Sequence, residues 1–148
     1  MKKLLVVILI IFGVYEYTDG NPGALNEITS SFGSNQSDSD DVLELAYKNR
    51  ASNLQVSGSG EVIRILPDDL NGSRHQKFIL KLSSGQTLLM AHNIDLAPRI
   101  EYLQEGDRVD FYGEYEWNSK GGVMHWTHHD PNGEHEDGWL VHNGRKFQ

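Results

Sequence analysis

Cysteine is missing from all 148 residues. That absence removes disulfide staples, thiolate zinc sites, a cysteine nucleophile and the acylated cysteine of a bacterial lipoprotein. Positive charge is scarce as well. Thirteen Lys+Arg stand against 21 Asp+Glu, a formal charge of −8, which argues against a chain that holds nucleic acid or an anionic membrane mainly by charge. A chain this short has room for one ordinary globular domain. No long hydrophobic run occurs either: the stretch at 4–14 has eleven residues, and at about 1.5 Å per residue it falls well short of the ~30 Å hydrocarbon layer. No Walker loop, dinucleotide fingerprint, Ser/His/Asp nucleophile pattern or H-E-x-x-H zinc motif is present.

Lys2 and Lys3 followed by that short apolar run have the form of an export signal. Residues 1–20 are therefore read as a signal, with the bacterial periplasm as the destination. The residues after the run, Tyr15, Glu16 and Tyr17, offer no clean A-x-A cleavage site, so an uncleaved anchor in the inner membrane, facing the periplasm, is the alternative. In that case the membrane would be touched only through this segment. Residues 21–40 are rich in Asn, Ser, Gly and Asp and cannot offset their ordering entropy by burial. They read as a flexible linker. Ser37 to Asp41 supply helix-capping side chains, and Val42, Leu45, Ala46 and Asn49 then share a face, which predicts a short helix within 41–53.

From residue 54 the period becomes two, with Gly- and Asn-rich turns about every ten residues. The expected strands are 54–66, 77–83, 86–92, 108–117 and 122–129. Phe78, Leu80, Leu82, Leu88, Met90, Val109, Phe111, Tyr115, Trp117, Met124 and Trp126 should face inward, while Asp110, Tyr112, Glu114 and Glu116 face water. One or two helical turns are expected at 97–103. The fold class is all-β with minor helix: a small five-stranded barrel of the oligonucleotide/oligosaccharide-binding (OB) type over 54–148, preceded by one short α-helix, its long first strand curving through Gly58.

The strings "GSRHQ" at 72–76, "HNIDLA" at 92–97, "GEYEWN" at 113–118 and "HWTHHDP" at 125–131 are distinctive. From about residue 54 to the C terminus the chain closely resembles an uncharacterised bacterial family, domain of unknown function 3465. The resemblance implies a short exported protein of the same fold and supplies no catalytic residue. A looser resemblance, to staphylococcal-type nucleases, rests on Asp69, Asp95 and Arg99 as analogues of calcium ligands and a phosphate clamp. The Asp-Gly-Asp turn and the Pro-Glu pair of those enzymes are missing, so turn chemistry is the preferred reading.

Two groups of residues are candidate sites. Arg74, His75 and Lys77 at the first β-turn, with Lys120 in the loop between the fourth and fifth strands, would place cations beside the usual OB ligand face. Such a patch suits an anionic small molecule, an oligosaccharide or a protein. Nucleic acid is disfavoured because the outward residues of the second and third strands include no stacking aromatic. Five of the seven histidines fall between His125 and His142. His128, Asp130 and His135 would make an imidazole and carboxylate set suited to zinc, although H-x-D-x4-H matches no standard hydrolase signature. The competing reading, which is preferred, is that these side chains hydrogen-bond the backbone of an irregular C-terminal loop. The function expected is an exported binding or interaction module with no committed cofactor. The alternative is a metal-dependent hydrolase of phosphodiesters using the His/Asp-rich segment.

Overall fold

The computed structural model describes residues 36–148, so the segment read as an export signal and most of that read as a linker lie outside the described residues. A helix α1 (Gln36–Lys48) precedes seven strands: β1 (Leu54–Asp69), β2 (His75–Lys81), β3 (Thr87–Asn93), β4 (Arg108–Glu116), β5 (Val123–His125), β6 (Trp139–His142) and β7 (Arg145–Phe147). The helix begins earlier than 41, inside the segment read as linker. Its buried face also differs from the expected one: Leu43 and Ala46 enter the core, while Leu45 is 59% exposed. The helix is tied to the barrel through Asp40, a buried carboxylate that accepts hydrogen bonds from the Ser83 hydroxyl and the Ser84 N–H. Among the described residues no helix is long and apolar enough to cross a membrane.

The strands pair in the order β1-β2-β3-β5-β4, and β4 pairs back onto β1, closing a ring of five. All these pairings are antiparallel except β3 with β5. β1 serves both sides of the closure: its first half lies along β4 and its second along β2, with an irregular register between Val62 and Arg64. Gly58 stands opposite Phe111, and a Cβ there would run into the Phe111 ring. The inward set is as the period of two requires. Phe78, Leu80, Leu82, Leu88, Met90, Val109, Phe111, Tyr115 and Met124 form the core with Val62 and Leu140, and Trp117 packs at its edge.

Beyond the helix, the chain departs from expectation at 97–103, at Trp126 and at 139–147. Residues 97–103 are irregular, with a bend at 97 and a turn at 101–102, instead of a helix. Buried Gln76 donates its amide N–H to the Ile100 carbonyl and accepts the Ile100 N–H, taking the backbone groups that a helical turn would use. The fifth strand stops at His125 because Trp126 adopts a left-handed backbone (φ 55°). This reverses the alternation, so Trp126 leaves the core and Thr127 becomes fully buried. Finally, residues 139–147 add a hairpin. Its two-residue turn at Asn143-Gly144, both with positive φ, has the chemistry of the primed turns that join antiparallel strands.

β5 and β6 occupy the same edge of β4, end to end. Glu114 pairs with His125 and Tyr112 with Trp139, so only Gly113 separates the two registers. Residues 126–138 are looped out opposite that single glycine.

Candidate functional site

The looped-out segment is a lobe held by polar contacts. The Asp130 carboxylate accepts the N–H groups of Asn132, Glu134 and His135, and these bonds hold it below the usual carboxylate range. Asp137 accepts the Asp130 N–H and then the His129 ring N–H, and is lowered in the same way. Trp126 stacks on His135 at 4.0 Å with an interplanar angle of 5°. Gly138 closes the lobe by donating its N–H to the His128 carbonyl, and a Cβ there would collide with the carbonyls of Trp126 and Tyr112.

The lobe lies on the outer face of β4, so that face is not simply wet. Tyr112 donates to Glu136, and His135 Nε2 to Glu114. The Tyr112 hydroxyl is pushed up to about 12, by burial first and by the Glu136 carboxylate second. Glu114 is buried. Burial alone would raise its pKa, but the hydrogen bond and charge of His135, with smaller contributions from Glu116 and His125, bring it below the ordinary value.

On the barrel side of the lobe is a cavity of about 280 Å³ lined by Ser73, His75, Ala91, Asn93, Leu96, His125, Trp126 and His128. Two of its imidazoles are fixed as one tautomer. His75 donates Nδ1–H to the Ser73 carbonyl (2.8 Å) and His128 donates Nδ1–H to the His129 carbonyl (2.6 Å). A carbonyl can only accept, so each neutral ring keeps its lone pair on Nε2, which has no hydrogen-bond partner among the described residues. Beneath them His92 is fully buried and its pKa is lowered to about 4. Burial is the main cause, opposed by a bond to the Pro98 carbonyl and assisted by repulsion from the protonated forms of His128 and His75. His92 is therefore neutral: Nε2–H donates to Pro98, and Nδ1 accepts the Thr127 hydroxyl at 2.8 Å. This bond ties the lobe to β3.

The matching family model is the protein of unknown function DUF3465, and it covers residues 27–148. The chain belongs to this family. No curated protein matches it. Family membership thus carries the resemblance seen in the sequence strings but brings no chemistry, and the site has to be read from its own residues.

The structure distributes the sequence-predicted residues unevenly. His75 and His128, one from each predicted group, meet in the cavity. Lys77 stands opposite Ala91 at its border, whereas Arg74 is engaged by Asp95 at 2.7 Å. Lys120 is not gathered with the other cations. Its carbonyl accepts from Thr87, at the far end of the β2–β3 hairpin from the His75–Asn93 pair, six residues or about 20 Å along the strand. Asp130 spends its carboxylate on the lobe itself, and His135 divides its ring nitrogens between the Glu136 carbonyl and Glu114 of β4. Of the residues of the nuclease comparison, Arg99 pairs with Asp68 and Asp95 with Arg74, while Asp69 accepts the Asn71 N–H in a turn. Among the described residues the trio that brings ligand atoms within 4.8 Å of one another is Glu114, Glu116 and His125. The signal for it was available, since the alternation of β4 and β5 already places all three on the outer face.

Proposed function

We propose that this is an exported binding module and that its cavity receives one hydroxyl-rich unit, such as a sugar ring of an oligosaccharide. The observation that carries the reading is the pair of fixed imidazoles. His75 and His128 present acceptor nitrogens, which suit ligand hydroxyl groups as donors. Asn93 uses its side-chain oxygen on the Asp95 N–H, leaving its amide N–H groups to donate to ligand oxygens. Ala91, Leu96 and Trp126 supply the apolar wall. A cavity of about 280 Å³ is just under the roughly 300–1,000 Å³ typical of ligand clefts, a size for one ring with the remainder of a chain outside. The engagement of Arg74 by Asp95 removes one of the cations that an anionic ligand would need.

Export rests on Lys2, Lys3 and the apolar run behind them. Recovery of the chain only from the cytosol on cell fractionation would overturn that part. The cavity is tested by titrating the full chain with neutral and acidic mono- and disaccharides, followed by calorimetry and by the histidine NMR signals. Saturable binding that moves His75 and His128, and that weakens at least tenfold in His128→Ala, is the expected result. A panel that leaves both signals unmoved would overturn it.

The hydrolase alternative keeps one supporting observation: His125 borders the cavity and also faces the Glu114–Glu116 carboxylates. Turnover of a generic phosphodiester that depends on added metal would replace the binding reading with this one.

A further inference from the structure

Three buried polar atoms in one row of the sheet have no hydrogen-bond partner. Gln55 of β1 lies opposite Glu114 of β4, and Glu114 lies opposite His125 of β5. Both amide atoms of Gln55 and the Nε2 of His125 are closed off from solvent and unpaired. Folded proteins rarely leave such atoms unmet, and each instance asks for an explanation.

Glu116 is two residues from Glu114 along β4 and so projects from the same face. His125 Nε2 is 3.9 Å from Glu114 Oε1 and 3.7 Å from Glu116 Oε1. Those separations are too long for hydrogen bonds. Two donors on a tetrahedral zinc ion, with bonds near 2.1 Å, stand about 3.4 Å apart, so the two His125–carboxylate separations have only a few tenths of an ångström to close, and all three ligand atoms lie within 4.8 Å of one another. We propose that Glu114, Glu116 and His125 form a binding site for a divalent cation of the zinc class, on the outer face of the β4–β5 pair where the lobe meets it.

The surroundings fit that assignment. His135 donates Nε2–H to Glu114 Oε2, the oxygen turned away from His125, which orients the carboxylate and leaves Oε1 for the ion. Carboxylates that bind a metal are commonly held by such hydrogen bonds from an outer group. Two neighbouring carboxylates repel each other when both are ionised, and a dication on their shared side removes the repulsion. Imidazole nitrogen with carboxylate oxygen is a donor set for zinc and similar first-row ions. The site is separate from the proposed saccharide contacts, His125 being the one residue common to both regions.

The test uses the untagged full chain, stripped with a chelator, dialysed and titrated with zinc chloride. Calorimetry gives the stoichiometry, and thermal unfolding at graded zinc concentrations gives the linkage. One zinc per chain is expected, with Tm rising with the logarithm of free zinc, as for any ligand that binds only the native state. His125→Asn and Glu116→Gln should each weaken binding at least tenfold. Glu116 has a third of its side chain exposed, so Glu116→Gln reports on the site with the core untouched. His128→Ala, which tests the cavity, should leave the zinc response unchanged. Absence of a saturable response would overturn the proposal. Retention of full affinity in both variants, or its loss in His128→Ala, would overturn it in favour of zinc on other histidines.

Discussion

The barrel interior and the lobe at 126–138 are built on opposite principles. The interior is apolar, regular and paired strand to strand, with Phe78, Phe111 and Tyr115 fully buried. The lobe has almost no apolar core. Its shape comes from carboxylates that accept backbone N–H groups, one Trp–His stack and a few bonds to β4. Many weak, non-directional contacts hold the first, and a small number of directional ones hold the second.

The largest effect belongs to the interior. Phe111→Ala removes a fully buried ring and should cost about 3–5 kcal/mol, measured by denaturant unfolding. A loss below about 0.5 kcal/mol would mean that the ring does not lie in the core.

Next comes the junction, through His92. Its pKa is about 4 in the folded chain against 6.5 in the reference state, so below about pH 6.5 the unfolded chain takes up a proton that the folded chain refuses. Stability is fully present above pH 6.5 and falls as the pH drops towards 4, by up to about 1.4 kcal/mol per unit and ~3 kcal/mol in all. Below about pH 4 the lowered carboxylates, Glu114, Asp130 and Asp137 among them, protonate in turn and continue the decline. Unfolding measured across this range in the native chain and in His92→Asn separates the two windows. An unchanged slope between pH 6.5 and 4 in the variant would remove His92 from the explanation.

The smallest effect is confined to the lobe. Gly138→Ala forces a Cβ against the Trp126 and Tyr112 carbonyls and should cost about 1–3 kcal/mol, the usual range for overpacking. Hydrogen exchange should accelerate in the lobe while β2 and β3 stay protected. Uniform loss of protection would show that lobe and barrel unfold as one unit.

The same contrast governs what could be read from the sequence. Period-two alternation identified the inward residues of β2, β3 and β4 because burial on one face of a strand is a local property. It failed at Trp126, where one left-handed residue reverses the parity and sends Thr127 inward in its place. Glu114 was assigned to water because nothing near it in the chain reveals that His135, 21 residues later, covers it. The helix predicted at 97–103 was lost to a distant partner in the same way, the Gln76 amide. The β6–β7 hairpin is a different case. Asn143-Gly144 between alternating residues is a strong local turn signal, and reading that segment only as a loop overlooked it. At the site, chemistry was legible by residue type but not by grouping: His75 and His128 are 53 positions apart and meet in one cavity.

The chain leaves β4's edge at His125 and rejoins it at Trp139, with one residue of the partner strand between. An excursion that begins and ends at nearly the same place imposes no length on the frame that carries it. The entropy of closing such a loop grows only with the logarithm of its length, so residues can be added at its tip at little thermodynamic cost. The ladder on either side keeps its register meanwhile. Residues can therefore be inserted at the tip of 126–138 while the five-stranded ring remains an unaltered mount.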